Sequence, residues 1–238
     1  MSVRLQVFLS HSGACSRRKA LEYIRSGNVM VNDQVILEPS YPVENTSDAV
    51  FLNGRPISPV QKTYILLNKP KGVVTTVRDR FAEKKVLDLL PKKFGHLYPV
   101  GRLDQETTGL LLLTNDGDMA YRLTHPSFEV DKTYHVFLHE PIRDDDRKKL
   151  EKGVFLEGKK TAPCKIRKTG PCELEMVIHE GRKRQIRRML ALLRYHVKDL
   201  VRIRQGPLTL GDLKTGEWRF LTKEEIDRIY KESSKQAP

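Results

Sequence analysis

The four consecutive leucines from Leu110 to Leu113 are the feature that most constrains the fold of this chain. A block this apolar and this short favours a buried strand over a helix. A polar loop with a glycine at each end, residues 101–109, leads straight into it, so Asp104 is held beside the core. From spacing alone, a turn cap explains Asp104 better than a functional carboxylate does, because Asp often caps turns.

The charge of the chain favours a polyanionic partner. Its 238 residues include 43 Lys and Arg against 30 Asp and Glu, which gives a formal net charge of +13. A surplus of this size favours nucleic acid or an anionic membrane surface. The membrane is disfavoured, because no apolar run approaches the ~20 residues that span a bilayer and the N-terminus has no apolar signal core.

The cysteines argue against disulfides and zinc. Cys15, Cys164 and Cys172 are odd in number and lack Cys-x-x-Cys spacing, and the seven histidines are scattered. We therefore expect reduced thiols, a cytoplasmic protein and no metal.

The first 57 residues predict a small module of helices and strands. Apolar residues at positions 5, 8 and 9 indicate a helix that stops at Gly13, and a second helix is predicted from an N-cap at Ser16 to Gly27. Short alternating segments with Asn-Asp and Asn-Gly turns predict strands after it. The first turn of the second helix holds three cations that oppose the helix dipole, so we expect them to contact phosphate: Arg17, Arg18 and Lys19.

This segment resembles the RNA-binding module named after ribosomal small-subunit protein S-four. The resemblance rests on Arg4-Leu5, Ser12-Gly13, Ser16 to Arg18 and Gly27 to Asn32. It implies binding of structured RNA through Arg4, Ser16, Arg17, Arg18 and Lys19, and a generic basic surface is the alternative. Residues 58–61 are a predicted linker, and a second domain is predicted over residues 62–232.

The second domain begins with strand signals. Tyr64 to Leu67 and Val73 to Val77 predict strands, with a basic turn from Asn68 to Gly72 between them. In residues 132–138, a period of two places Tyr134 on the same face as Val136. A buried tyrosine in such a strand is more often part of the core than catalytic.

The most informative helix is predicted from Arg182 to Arg194, after Gly181. Its apolar residues repeat at i, i+3, i+4 and i+7 and form one buried stripe. At about 100° per residue, Arg184 and Arg188 point into solvent, where they suit phosphates. Lys183 and Arg187 lie along the border of the stripe, where an arginine stem can cover apolar surface while its guanidinium enters a cleft.

Three motifs together resemble the ribosomal RNA pseudouridine synthases, and in particular the branch with an S-four-like module at its N-terminus. They are residues 101–117, which include Gly-Arg-Leu-Asp and Thr-Asn-Asp-Gly, then Lys132-x-Tyr134, then residues 180–189. The resemblance runs from Arg4 to about Tyr230. It implies an α+β protein, in which a small N-terminal RNA-binding module precedes a mixed, mainly antiparallel β-sheet catalytic domain with flanking helices.

The resemblance also implies an activity and its residues. Uracil is detached from its ribose, turned and rejoined through carbon, with no cofactor. Asp104 matches the nucleophile, which attacks either the anomeric carbon or C6 of the base. Tyr134 matches the tyrosine that closes one face of the pocket, and Arg187 matches the basic partner of the aspartate.

Further substrate contacts are implied in the same way. Arg102 matches a residue that fills the space left by the extruded nucleotide, since a stacked uridine hides its glycosidic bond. Leu200 matches an apolar residue that packs on the flipped base, with a plain core leucine as the alternative. Lys183, Arg184 and Arg188 complete the predicted substrate-binding set.

The implied partner is ribosomal RNA or a partly assembled ribosomal particle. The segment Leu97 to Val100 mildly favours large-subunit rRNA. We expect a monomer without a membrane partner. Two alternatives remain at this stage. One is a non-catalytic rRNA-binding or ribosome-assembly factor on the same fold, and the other is a protein that reads only backbone charge.

Overall fold

The computed structural model describes residues 2–235 except 45, 46, 59, 78 and 95, and it leaves the side chains of 233–235 undescribed. The chain divides into two compact units, Met1–Thr63 with Asn115–Gly117 and Tyr64–Thr114 with Asp118–Pro238. Pro59, in the predicted linker, lies outside the described residues.

The N-terminal unit packs two helices on a small antiparallel sheet, with strand order β3-β2-β5-β6, and has a separate β1-β4 pair. Leu5, Leu9 and Ile24 from the helices meet Val29 and Val50 from the sheet in one core. Its elements are β1 (Ser2–Arg4), α1 (Leu5–His11), α2 (Arg17–Arg25), β2 (Val29–Val31), β3 (Gln34–Val35), β4 (Pro42–Glu44), β5 (Val50–Leu52) and β6 (Arg55–Ile57).

The start of helix α2 follows the sequence prediction. The Ser16 hydroxyl accepts a hydrogen bond from the Lys19 backbone N–H at 3.3 Å, and Gly27 ends the segment with φ +74°. Arg17 and Arg18 are exposed, as are Lys19 and Arg4, so their charges are available to a partner.

The second unit contains the larger core, short 3₁₀ helices at Val86–Leu89, Lys92–Phe94 and Pro126–Phe128, and the remaining strands and α-helices. They are β7 (Tyr64–Lys69), β8 (Tyr98–Pro99), β9 (Thr108–Thr114), α3 (Gly117–Thr124), β10 (Lys132–Leu138), α4 (Asp144–Glu151), β11 (Phe155–Leu156), β12 (Lys159–Lys160), β13 (Lys165–Gly170), β14 (Glu173–Ile178), α5 (Gln185–Leu192), β15 (Val197–Gln205), β16 (Leu208–Thr209), β17 (Trp218–Phe220) and α6 (Lys223–Lys235). A capping box begins α6, because the Thr222 hydroxyl accepts from Glu225 N–H and the Glu225 carboxylate accepts from Thr222 N–H.

A mixed sheet organises this unit. Within the described residues it has nine strands, in the order β13-β14-β10-β15-β9-β7-β17 with β16 beside β15 and β8 beside β9. All pairs are antiparallel except β15 with β9. The prediction of an α+β protein with a mainly antiparallel sheet is therefore confirmed, and the leucine block Leu110–Leu113 forms the buried centre of β9.

The parallel pair brings two chain segments unusually close. Gly109 in β9 lies opposite Arg202 in β15 and has φ +102°. A Cβ atom at Gly109 would overlap the backbone of Arg202, so this position requires glycine for both its conformation and its space. The close approach sets the position of the polar loop that precedes β9.

Two predictions about elements are wrong. Val73 to Val77 is not a strand, since only Val74 forms an isolated bridge, with Lys85. The predicted helix from Arg182 to Arg194 is shorter, because α5 spans Gln185–Leu192 and Arg184 adopts a left-handed conformation, φ +51°, at its N-cap. Lys183 and Arg184 thus lie in a turn before the helix, and the angular argument does not apply to them.

A buried carboxylate supports the end of helix α5. Asp146 on α4 accepts hydrogen bonds from the Tyr195 hydroxyl at 2.9 Å and from Arg143 and Lys149 at 2.9 Å. These bonds, with Lys149 first among them, lower the pKa of Asp146 from 3.8 to about 2. The mixed-charge start of α4, which the sequence alone gave no function, therefore anchors Tyr195 just beyond α5.

We predict that Asp146→Asn lowers the melting temperature at neutral pH. The folded-state pKa lies below the unfolded value, so the stabilisation is present above 3.8 and is lost as the pH falls toward about 2. Thermal unfolding of the two proteins across that range should show their difference shrinking with decreasing pH. The adjacent exposed Asp145 provides the control, Asp145→Asn, which should match the wild type at every pH. A difference that persists unchanged at low pH would contradict the assignment.

Candidate active site

Hydrogen bonds to the backbone fix the loop that carries Asp104. The Thr75 hydroxyl donates to the Leu103 carbonyl at 2.8 Å and accepts from the Leu103 N–H at 3.3 Å. Thr107 N–H donates to the Asp104 carbonyl at 3.0 Å, which closes a turn around the aspartate. The backbone is thereby held on both sides of Asp104.

Lys69 lies beneath this loop and is completely buried. Its ammonium donates to the carbonyls of Asp104 at 3.3 Å, Gln105 at 3.2 Å and Thr107 at 2.9 Å, and to that of Pro70 at 3.0 Å. Burial lowers the pKa of Lys69 to about 8, although the charges of Glu106 and Asp104 oppose this shift. One buried cation thus ties the loop to the end of strand β7.

Sequence reasoning placed Lys69 in a basic turn and missed this role. The signal was the period of the preceding strand, since Ile65 and Leu67 face the main core and Lys69 continues the same face. A lysine at the next inward position of a buried strand is rarely solvated, so it must find partners inside.

A cleft of about 560 Å³ opens beside the loop. Six of the predicted site residues line it: Arg102, Asp104, Tyr134, Lys183, Arg184 and Leu200. Tyr134 and Leu200 are buried and belong to the main core, as the core alternative for Leu200 expects, and both side chains also line the cleft. Arg102, Lys183 and Arg184 are exposed at the cleft. The cleft therefore combines one carboxylate, an apolar wall and a cationic margin.

Arg187 lies behind the loop. Its guanidinium donates to the Glu106 carbonyl at 3.2 Å and to the Val197 carbonyl at 3.1 Å, and its Nε is buried without a partner among the described residues. No ion pair within 4.0 Å joins the described side chains of Arg187 and Asp104. Burial lowers the pKa of Arg187 and Asp104 opposes the shift, so the two groups interact through their charges.

The basic run before and within α5 divides into distinct roles. Arg182 donates to the carbonyls of Lys159 and Lys160 and holds the β11-β12 hairpin. Arg188 pairs with Glu157 at 2.9 Å instead of pointing freely into solvent, so the predicted orientation is wrong. The sequence could not show this, because Glu157 comes from the distant hairpin.

Two cations at the inner end of the cleft were also missed. Lys132 donates to the carbonyls of Val130 and His179, both at 3.3 Å, and burial together with Arg202 lowers its pKa to about 8. Arg202 is almost fully buried, and its Nε donates to the Leu110 carbonyl at 2.8 Å. The signal for Lys132 was its place two residues before Tyr134, on the same face of β10.

The described residues contain no group of three His, Cys, Asp or Glu side chains that could hold a metal ion. None of the helices among them is long and apolar enough to cross a bilayer.

Comparison with known proteins identifies the family of the chain. The model of the RNA pseudouridylate synthase family matches residues 63–192, and that of the S4 domain matches residues 3–50. The chain belongs to the RNA pseudouridylate synthase family. The cleft that holds Asp104 and Tyr134 lies in the enzymatic domain, and helices α1 and α2 belong to the S4 domain.

Relatives of known name cover almost the whole pseudouridine synthase. The ribosomal large subunit pseudouridine synthase B of Bacillus subtilis is 40% identical over 95% of each chain. The ribosomal small subunit pseudouridine synthase A of Vibrio cholerae is 37% identical over 96% of this chain and 100% of its own. A solved structure described as a pseudouridylate synthase superposes with a TM-score of 0.70 at 30% identity, over 96% of this chain and 100% of that one.

We predict that Lys69→Met lowers kcat about a hundredfold while the KM for RNA changes little, because a displacement of about 1 Å at a reacting group has a cost of this size. The carbonyls that Lys69 satisfies would be left without a buried donor, and the loop would shift. Steady-state kinetics and circular dichroism would separate loss of chemistry from loss of fold.

The matched control is Lys71→Met, two residues away. The Lys71 side chain is 53% exposed and pairs with Glu106 and Asp199 at the surface, so its loss should leave kcat within about twofold. Wild-type kcat in Lys69→Met would show that the loop keeps its geometry without the buried ammonium.

Proposed function

We propose that this pseudouridine synthase isomerises one uridine of ribosomal RNA. The activity is that of its family, and the substrate class is supported by relatives whose names specify the large or the small ribosomal subunit. The net charge of +13 suits a polyanion of this kind.

The reaction breaks one bond to the ribose and forms another. The bond between N1 of uracil and the anomeric carbon breaks, the base turns, and C5 bonds to the same carbon. C5 loses its proton and N1 gains one, so substrate and product have the same composition. The target uridine must leave the RNA stack first, because a stacked base hides the bond that breaks.

Asp104 is the nucleophile in this proposal. The observation that carries it is the combination of a fixed backbone with an unengaged side chain. Lys69, Thr75 and the turn to Thr107 hold the loop, while no described group hydrogen-bonds or ion-pairs with the carboxylate of Asp104. Its oxygens face a cleft and are free to react. Attack on the anomeric carbon and attack on C6 of the base both fit this placement.

The remaining cleft residues bind the extruded nucleotide. Tyr134 closes one face of the pocket, and Leu200 packs on the base. Arg102 is exposed beside Asp104 and fills the space that the nucleotide leaves in the RNA. Arg187 acts on Asp104 through its charge and through the Glu106 carbonyl that it holds.

Cations around the cleft hold the RNA backbone. Lys183 and Arg184 line the cleft and contact phosphates, and Arg188 joins them when a phosphate replaces its partner Glu157, which is 81% exposed. The module of residues 1–57 binds structured RNA through Arg4 and the first turn of α2, where Ser16 serves as the helix cap. Residues 62–232 form the catalytic domain.

Target and setting complete the proposal. We favour large-subunit rRNA as the substrate because of the segment Leu97 to Val100. The rRNA is either free or part of a partly assembled particle. The enzyme acts in the cytoplasm as a monomer. It needs no cofactor, because the isomerisation exchanges no electrons with a second reactant.

The direct test is to incubate the protein and Asp104→Asn with unmodified transcripts of both ribosomal RNAs and with partly assembled particles, and to map pseudouridine by sequencing. We expect conversion at one uridine, reduced by more than about a thousandfold in the variant, because loss of a covalent nucleophile leaves only binding contributions. Equal conversion by both proteins would reject Asp104 as nucleophile. Tight binding without conversion on any substrate would indicate a non-catalytic rRNA-binding factor.

A second prediction concerns the N-terminal module. Replacing Arg17, Arg18 and Lys19 by glutamine should weaken RNA binding and lower the slope of log K against log salt by about 2 to 3, since each phosphate contact contributes roughly 0.7 on single strands and roughly 0.9 on a duplex. The value of kcat at saturating RNA should not change. The control removes the same charge from exposed positions of α6, Lys223, Arg228 and Lys231, and should leave the slope unaltered. Equal slopes for the two triple variants would contradict a specific role of the module.

A further inference from the structure

An exposed aromatic ring lies at the tip of the loop from Thr75 to Lys85. Phe81 is 88% exposed, the highest value among the large apolar residues that the structure describes. Its backbone N–H donates to the Asp79 carboxylate at 2.9 Å, which shapes the tip as a turn. The guanidinium of Arg80 lies 5.6 Å from the centre of its ring. The phenyl ring of Phe81 is thus presented to solvent by a turn with a defined hydrogen bond.

The loop is attached to the active site at its base. Val74 N–H donates to the Lys84 carbonyl at 3.0 Å and closes the loop, and Thr75 next to it hydrogen-bonds to both backbone groups of Leu103. Leu103 directly precedes the proposed nucleophile. Phe81 is six residues from Thr75, so its Cα lies within about 20 Å of this anchor. That distance corresponds to a few nucleotides of RNA.

The surroundings of Phe81 favour a base over a protein or a lipid as its partner. Residues 76–85 contain four cations and two acids, a net charge of 4 − 2 = +2, and one of the cations, Arg78, lies outside the described residues. A protein or membrane contact would require a contiguous apolar patch of several hundred Å². Phe81 instead stands beside Arg80, and an aromatic ring interleaved with cations is typical of stacking on unpaired bases.

Other exposed phenylalanines of the catalytic domain differ from Phe81. Phe220 packs edge-on against Phe94 at 5.5 Å and Trp218 at 5.7 Å, so its ring already has aromatic partners. Phe155 is 67% exposed, but it lies on the two-residue strand β11, in the hairpin held by Arg182. Among the described segments that carry Phe81, Phe155 and Phe220, the loop of Phe81 is the one that hydrogen bonds join to the segment of Asp104.

We propose that Phe81 stacks on an unpaired base of the substrate RNA that flanks the target uridine. The inference rests on the proposed function for the presence of RNA. Extruding one nucleotide removes a stacking partner from its neighbours, and a phenyl ring replaces part of that loss. The Arg80 guanidinium lies beside the Phe81 ring and adds a favourable cation contact to the stack. Phe81 is therefore a residue that selects and orients RNA and takes no part in the chemical step.

The test compares Phe81→Ala and Phe81→Tyr with the matched control Phe155→Ala in the full-length protein. Affinity for unmodified transcripts of both ribosomal RNAs would be measured at several salt concentrations, with Asp104→Asn in the background so that no RNA is converted. We expect Phe81→Ala to bind its preferred transcript about tenfold more weakly, and the other two variants within about twofold of the parent. Because stacking releases no counterions, the salt dependence of Phe81→Ala should run parallel to that of the parent.

A physical contact would be detected separately. Transcripts substituted with 5-iodouridine would be irradiated with the protein, and the cross-linked peptide identified. We expect a cross-link within residues 76–85 that Phe81→Ala abolishes and Phe155→Ala retains. Parental affinity and an unchanged cross-link in Phe81→Ala would overturn the proposal.

These measurements distinguish the inference from the proposed function. Weaker binding by Phe81→Ala, with the same salt dependence as the parent, supports stacking even if no uridine is converted. This holds because affinity is measured without catalysis. Conversion at one uridine with equal kcat/KM for the parent and Phe81→Ala would retain the enzyme and reject the stacking role. With the native Asp104, the expected signature is a KM about tenfold higher with an unchanged kcat at saturating RNA.

Discussion

Four successive carbonyl groups, those of residues 104–107, accept hydrogen bonds from a buried lysine and a partly buried arginine. Lys69 binds the first, second and fourth, and Arg187 binds the third. A loop of this kind would otherwise leave its carbonyls unpaired near the core or shift them toward water. The ammonium and the guanidinium instead fix the backbone from behind, so the side chain of Asp104 needs no partner of its own and remains available in the cleft.

The same arrangement explains why Lys69 is tolerated in the interior. A buried charge is stable only when it is paired and fully hydrogen-bonded. The Lys69 ammonium donates to four carbonyls, the partly buried Arg187 donates to two, and the carboxylates of Asp104 and Glu106 offset both charges. The same contacts of Lys69 and Arg187 therefore both fix the backbone of the loop and balance the charges of the site. Dipoles held in place before the reaction are also the arrangement that stabilises developing charge most effectively.

Whether the sequence predicted an interaction depends on how far apart its two partners lie along the chain. Local signals succeeded, as at the Ser16 cap, because a helix cap and its acceptor lie within a few residues. The leucine block identified the central strand for the same reason. Interactions between distant segments were missed: the pairing of Arg188 with Glu157, and the burial of Lys69 under a loop 35 residues away. Motif resemblance placed the cleft residues together, but it could not show which cations were already occupied.

Target choice must reside outside the machinery that these enzymes share. Relatives at 37–40% identity bear names that specify different ribosomal subunits, although their chains align over nearly their whole length with this one. In the proposed function Lys183 and Arg184 contact phosphates, which are the same at every nucleotide and carry no sequence information. On this proposal, discrimination between uridines depends on RNA shape, read by the N-terminal module, and on groups that contact bases. A neutral aromatic ring on a loop attached to the segment of the proposed nucleophile can contribute to this discrimination, because stacking strength varies with the base and its neighbours whereas phosphate attraction does not.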